Sequence, residues 1–321
     1  NLGKHSKWVL SVESGVPWPV NVTRCVESED ADLSSIAKDK YVERRMKALA
    51  SPNCLALLAL SHCTEKIQRE IIKQFPEYED AIAKKLITLL PPQKLIVNGV
   101  EEKGLTWKDD ERMTFIYVGS DFYRKGGRET VQVLADLHKQ YDFRLVLISA
   151  MAVDEQRYLR TNNDEEEAKR LIEDNKDWIE YYDRLPNAVV LEKMKAAHVC
   201  MLPTWMDTFA YSVLEAQACG TPVISTSLRA LTEINNEEVG WLIKVPVNRL
   251  NNPIHLTKEQ QDKFSEMLLA GLREKVKYVL QNRQEIKEKS NRCLDKIKKL
   301  HSPEDYEKKL RMVYSGEVSK I

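Results

Sequence analysis

Residues 198–226 read HVCMLPTWMDTFAYSVLEAQACGTPVIST, and the folding of this stretch organises the rest of the chain. Val199–Leu202 is an apolar run long enough for one buried parallel strand, and Pro203 stops it. A polar-aromatic turn, Thr204–Phe209, comes next. Ala210–Cys219 then places Ala210, Val213, Leu214 and Ala218 at helical spacing, with Gly220 where a C-cap belongs. Pro222–Ser225 is a second apolar run. The pattern is strand, loop, helix, strand, a right-handed βαβ unit. Asp207 falls in the loop and Glu215 about one turn into the helix. The start of that helix aims the amides of Thr208, Phe209, Ala210 and Tyr211 into the crevice beyond the strand's carboxyl end, a ready anion site. An acid beside it accepts hydrogen bonds from ligand hydroxyls. Amides for phosphate next to carboxylates for hydroxyls suit a nucleotide-sugar.

Upstream, Thr114–Val118 predicts a strand and Arg128–Gln140 a helix, joined by GSDFYRKGG. In this loop Gly119 lets the backbone turn sharply and Gly126-Gly127 opens the helix. Lys125 is a flexible cation at a helix start facing the same crevice, placed to neutralise a diphosphate leaving group. Lys125 and Arg124 also read as surface cations, and Glu215 as a solvated helix acid. Further strands are expected at Phe143–Ser149, Trp178–Tyr182 and Gly240–Ile243, alternating with helices at Asp164–Asn175 and Val189–Ala197. That alternation means a doubly wound parallel α/β sheet. No GxGxxG follows the first strand, which argues against a dinucleotide dehydrogenase.

Composition narrows the partners. The chain has 321 residues, room for two domains, and Lys plus Arg equals Asp plus Glu at 49 each. No basic excess points to nucleic acid. No run of eighteen apolar residues predicts a membrane span, and the first thirty residues lack a signal-peptide layout. The six cysteines show no CxxC and read as reduced core residues, so the expected location is cytoplasmic. Asp30-Ala31-Asp32 is a literal DxD but lies in the charged run ESEDAD with no strand before it, so it reads as a solvated loop and no metal is assigned.

In chain order, Trp8–Val12 is a short strand ending at Glu13. Val20–Ser35 is polar and acidic and predicts a loop. Ile36–Ala50 predicts a helix, Cys54–Leu60 a strand, and Ser61 with Thr64 the start of a helix to about Gln74. Glu79–Leu90 predicts another helix, and the polar segment Asn98–Arg112 a linker. In the tail, Phe264, Leu268, Leu272, Val276 and Leu280 form one helical stripe, and Ser302-Pro303 restarts a helix as N-cap and first-turn proline.

Asp207-x7-Glu215 with AQACGTPVIST resembles the acid-x7-Glu motif of glycosyltransferase family 4, the retaining GT-B nucleotide-sugar transferases. Phe209, Leu214, Glu215, Ala216, Ala218, Gly220, Pro222 and Val223 match its usual pattern in register. Asp207 stands for the first Glu, and Thr208 and Ala210 for two glycines. The family's Gly-Arg-x4-Lys-Gly loop is matched at Gly119, Lys125 and Gly126, whereas Ser120 stands where the family has Arg and Arg124 beside Lys125 is the candidate replacement for its charge. The resemblance implies a GT-B fold of two Rossmann-like domains. It places Glu215 on ribose hydroxyls, Asp207 on sugar hydroxyls, and Lys125 with the helix amides on the diphosphate. The nucleobase would lie along Ile179–Pro186, where Arg184 and Leu185 stand near a missing glycine. Glu13 takes the place of an acceptor-side His, as an acid/base or as a plain turn acid. The implied reaction retains configuration and needs no metal and no cofactor beyond the nucleoside diphosphate sugar. A glycan or lipid-linked acceptor is implied, and a peripheral membrane contact stays open.

The same resemblance makes the N-terminal part look short, since a strand like WVLSV commonly falls midway through the first domain. The expected organisation is a partial acceptor-side domain at 1–98, a linker at 99–112, a donor-binding domain at 113–300, and a last helix at 301–321 returning to the first domain through Tyr306, Leu310 and Val313. Two other readings stay open: a GT-B nucleotide-sugar epimerase, and a non-catalytic nucleotide-sugar-binding module.

Overall fold

The computed structural model describes residues 6–108, 110–151 and 164–318. It divides into two compact units: one is Asn1–Pro92 with Val247–Ile254 and Leu300–Ile321, the other Gln93–Pro246 with His255–Lys299.

The first unit begins with β1 (Trp8–Val12), α1 (Val20–Glu27), α2 (Lys40–Ala50), β2 (Cys54–Ala59), α3 (His62–Ile72), α4 (Pro76–Ala83) and β3 (Leu86–Thr88). Its sheet runs β1-β2-β3, all parallel, with Val12 opposite Ala59 and Ala59 opposite Thr88. Several helix starts follow directly from local chemistry. The Ser61 hydroxyl accepts from the Thr64 amide at 3.0 Å and opens α3. Asp39 caps α2 by accepting from Tyr41 and Val42, so the helix expected from Ile36 is broken into a short 3₁₀ turn at Ser34–Lys38 and α2 proper.

Two expectations fail here. The stretch from Val20 is not all loop: α1 forms because Val22 and Val26, four residues apart, are both fully buried while Asn21 and Arg24 face outward. Asp30 and Asp32 follow it as turn caps, with Asp32 accepting from the Ser34 amide at 2.9 Å. The helix expected over Glu79–Leu90 starts earlier, at Pro76, and gives way to β3, because Leu86–Thr88 pair with Leu57–Ala59. Pairing onto a sheet edge outweighs a modest local preference for helix.

The second unit holds β4 (Met113–Val118), α5 (Gly127–His138), β5 (Phe143–Ile148), α6 (Asp164–Glu173), β6 (Ile179–Tyr182), α7 (Asn187–Ala196), β7 (Val199–Leu202), α8 (Tyr211–Ala218), β8 (Val223–Thr226), α9 (Leu231–Ile234), β9 (Gly240–Ile243), α10 (Lys258–Gln281) and α11 (Gln284–Leu300). The sheet order is β6-β5-β4-β7-β8-β9, every pair parallel. Helices cover both faces of this sheet, and β7 and β8 are buried at every residue. Thr257 and Gln260 form a reciprocal capping box at the start of α10, whose buried stripe is the one the spacing predicts.

The segment expected as a linker is tied to this unit. The amide of Ile96 donates to Ala218 O at 3.0 Å, and Val97 and Val100 are buried with Leu294. Lys103, buried at the end of a 3₁₀ turn, donates to Cys219 O at 3.1 Å and to the Thr221 hydroxyl at 2.6 Å. Desolvation lowers its pKa to about 7.

The remaining segments complete the first unit. Leu250 is fully buried in its core, and the Asn248 amide group donates to Val26 O at 2.9 Å and Ser28 O at 2.7 Å. The final helix, α12 (Pro303–Ser315), is capped by Ser302 and packs Tyr306, Leu310 and Val313 against Ala56, Leu58 and Leu89.

Candidate functional site

The six-stranded sheet changes direction at β4. From there the chain builds outward through β5 and β6, then returns to the other side of β4 with β7, β8 and β9. Connections leaving the carboxyl ends of β4 and β7 therefore diverge, and a crevice must open between them. Its walls are the loops 119–126 and 203–210.

The two loops are locked together by backbone. Arg124 O accepts from the Trp205 amide and from the Thr204 hydroxyl, both at 2.9 Å. Gly126, at φ 78°, passes so close to Pro203 that a Cβ there would stand 2.0 Å from the Pro203 carbonyl oxygen. Only glycine meets both demands. Trp205 adds a side-chain tie: its indole N–H donates to Glu129 at 3.1 Å, and its ring stacks on Phe264 with centroids 4.6 Å apart. Glu129 is fully buried, and desolvation raises its pKa.

This locking brings two predicted residues into contact. The Lys125 ammonium donates to the Asp207 carboxylate, and both side chains are largely buried. An ammonium has three donors, so one spent on Asp207 leaves two for a ligand. Arg124 lies beside them but is engaged: its Nε donates to Asp121 at 2.9 Å and its Nη1 to Met206 O at 3.2 Å. The guanidinium thus acts as a strut between the loops. Sequence reading passed over Asp121, whose signal is its place three residues before Arg124 in a loop already singled out. Gly119 and the exposed Ser120 begin the same loop.

Thr208, Phe209, Ala210 and Tyr211 lead into α8 at the same end of the sheet. Ala210 is the N-cap, at φ 66° and ψ 68°, and its methyl side chain makes no capping hydrogen bond. This is the left-handed conformation that a glycine takes without penalty, at a position where the resembled family has glycine. Phe209 is buried and Tyr211 exposed. Glu215, half-buried on α8, accepts from the Asn187 side-chain amide at 3.2 Å. Asn187 opens α7 directly after the segment bearing Arg184 and Leu185. Arg184 is exposed and Leu185 half-buried. No pattern in the sequence marks Asn187, since its partner lies 28 residues away.

Glu13 belongs to the first unit, exposed at the carboxyl end of β1, and its backbone carbonyl accepts from the Thr64 hydroxyl at 2.6 Å. Among the described residues no group of three His, Cys, Asp or Glu side chains is arranged to hold a metal, and no helix is long and apolar enough to cross a membrane.

Residues 101–268 match the family model described as glycosyl transferases group 1. An uncharacterized glycosyltransferase of Methanocaldococcus jannaschii is 25% identical over 242 residues, which is 68% of this chain and 59% of that protein. The chain thus spans less than two thirds of that relative's length. Among solved structures, sucrose-phosphate synthase from Thermosynechococcus elongatus aligns with a TM-score of 0.61 at 18% identity, over 98% of this chain and 69% of that one. HepE of Anabaena, in complex with UDP and glucose, aligns with a TM-score of 0.60 at 11% identity, over 96% and 71% of the two chains. At these identities the likeness is one of fold.

Proposed function

The chain belongs to the group 1 glycosyl transferases, and from that premise we propose that it carries the donor half of an enzyme moving a sugar from a nucleoside diphosphate sugar to a glycan, lipid or other acceptor, with retention and without a metal. The observation that carries the reading is the Lys125–Asp207 pair, set at the carboxyl ends of β4 and β7 beside the start of α8. One cation, one acid and one set of helix amides meet where the sheet changes direction.

In this reading the diphosphate lies over the start of α8. The amides of Thr208, Phe209 and Ala210, with the remaining protons of Lys125, stabilise the charge that grows as the diphosphate leaves. Each donor aimed at developing charge contributes about 3 kcal/mol. Asp207 keeps Lys125 in place and accepts from sugar hydroxyls. Glu215, steadied by Asn187, accepts from the ribose. Arg124 braces the two loops, and the segment around Arg184 and Leu185 carries the base. The acceptor oxygen attacks the anomeric carbon from the face the diphosphate leaves, so the new bond keeps the configuration of the old. Glu13 is the acceptor-side acid of this reading.

The test is ligand-induced thermal stabilisation with UDP, GDP and ADP, on this chain and on Glu215→Ala. A nucleotide bound only by the folded state raises stability by about 2.7 kcal/mol at a hundred times its dissociation constant. One nucleotide should shift the melting temperature and lose that effect in the variant. The absence of a shift with all three would overturn the donor site.

A further inference from the structure

A second cavity lies at the opposite ends of the same two strands. It opens where Met113 begins β4 and His198 precedes β7, and it encloses about 190 Å³. A cavity of about 150 Å³ takes up benzene, so this one has room for a single ring with a substituent. Among the described residues that line it are three cations, Lys108, Arg283 and Lys287, and no acid.

The apolar wall includes Ile286, Met113 and the indole of Trp107. Trp107 sits at φ 59°, a left-handed backbone that a bulky residue avoids. The loop around it is held by Glu111. This carboxylate accepts from the amides of Thr106 and Trp107, each at 3.0 Å, and from the Thr106 hydroxyl at 2.9 Å. It also stands 3.4 Å from Nε2 of His198, whose Nδ1 accepts from the Thr114 amide at 3.1 Å. Arg283 fixes the same turn by donating to Glu111 O at 2.7 Å. The Glu111 carboxylate is therefore taken up in shaping the loop, and the wall it shapes is aromatic and cationic. A strained backbone pinned by this many partners is the kind found where a side chain must be aimed.

We propose that this cavity is a second ligand site, separate from the crevice, for a small organic anion bearing one planar ring. The ring packs against Trp107, Met113 and Ile286, and the carboxylate or phosphate group lies among Lys108, Arg283 and Lys287. A six-residue strand spans about 20 Å, so an occupant here cannot reach a donor in the crevice.

The probe is phenyl phosphate, titrated by calorimetry into the whole chain, with inorganic phosphate and benzyl alcohol as controls lacking the ring or the charge. Phenyl phosphate should saturate with a dissociation constant of about 1 mM or tighter, as suits a ligand this small. Both controls should bind about tenfold more weakly or worse, and so should phenyl phosphate to the folded Lys108→Glu/Lys287→Glu variant. Trp107→Ala, tested alongside, should weaken phenyl phosphate without changing the response to inorganic phosphate. Lys125→Met alters the crevice and should leave phenyl phosphate binding unchanged. Loss of binding in Lys125→Met would put the probe in the crevice and overturn the proposal. Absence of saturable binding to the folded wild-type chain, or binding indifferent to the charge reversals, would overturn it equally. These outcomes do not depend on whether any nucleotide binds at Glu215.

Discussion

The helices on either side of the crevice begin in the same unusual way, and differ in why. Both α5 and α8 have an N-cap in the left-handed conformation, Gly126 at φ 78° and Ala210 at φ 66°. Gly126 is demanded twice, by its backbone angle and by the Pro203 carbonyl oxygen against it. Ala210 meets only the first demand, and a single methyl can be carried there at a cost of about 1 kcal/mol. The loop after β4 is thus fixed by contact with its neighbour. The loop after β7 tolerates some strain at its last residue before α8.

Gly126→Ala puts this comparison under its hardest test. The added Cβ would overlap the Pro203 carbonyl, so the loops must part, and urea unfolding should show a loss of about 3 kcal/mol or more. A loss below 1 kcal/mol would mean that the loops are not locked as described.

Acid should act on the β7 side. His255 is buried against Trp205 and Phe264, with ring centroids 6.4 and 5.7 Å away, and desolvation lowers its pKa to about 4 from an ordinary 6.5. Between those values the unfolded chain binds a proton that the folded chain does not. Stability is therefore fully present above pH 6.5 and falls as pH drops, by about 3 kcal/mol at pH 4 from this group. Urea midpoints at pH 7 and pH 4.5 should differ less in His255→Gln than in the wild type, and equal differences would remove His255 from the account.

The smallest effect is the most diagnostic. Ala210→Gly relieves the backbone angle but loosens the unfolded chain, and should stabilise the protein by about 0.5 kcal/mol. Destabilisation beyond 1 kcal/mol would show that the Ala210 methyl packs well enough to outweigh its strain, and that the two N-caps are more alike than they look.

What was legible in the sequence was what local pattern carries. The βαβ unit of β7, α8 and β8 was plain because buried parallel strands are short apolar runs and helices repeat every three to four residues. The helix starts at Ser61 and Ser302 rest on side chains reaching three residues along the chain. Asp207, Glu215 and Lys125 were singled out the same way, by spacing and by loop chemistry. The helix at Val20–Glu27 was missed because its two buried valines sit among polar residues, and β3 because its identity comes from pairing with β2.

The amino-acid sequence by itself determined the alternation of strand and helix, and with it the parallel sheet and the crevice at the carboxyl ends of its strands. Only the tertiary structure decided that Lys125 meets Asp207, 82 positions further along the chain, that Arg124 is spent on Asp121 and Met206, and that Asn187 steadies Glu215. It alone showed that Trp107 and His198, 91 positions apart, wall a second cavity. The reason is one of range. Propensity, capping and periodicity act over a few residues, whereas an ion pair or a cavity exists only where distant segments are brought within a few ångströms by the packing of the sheet.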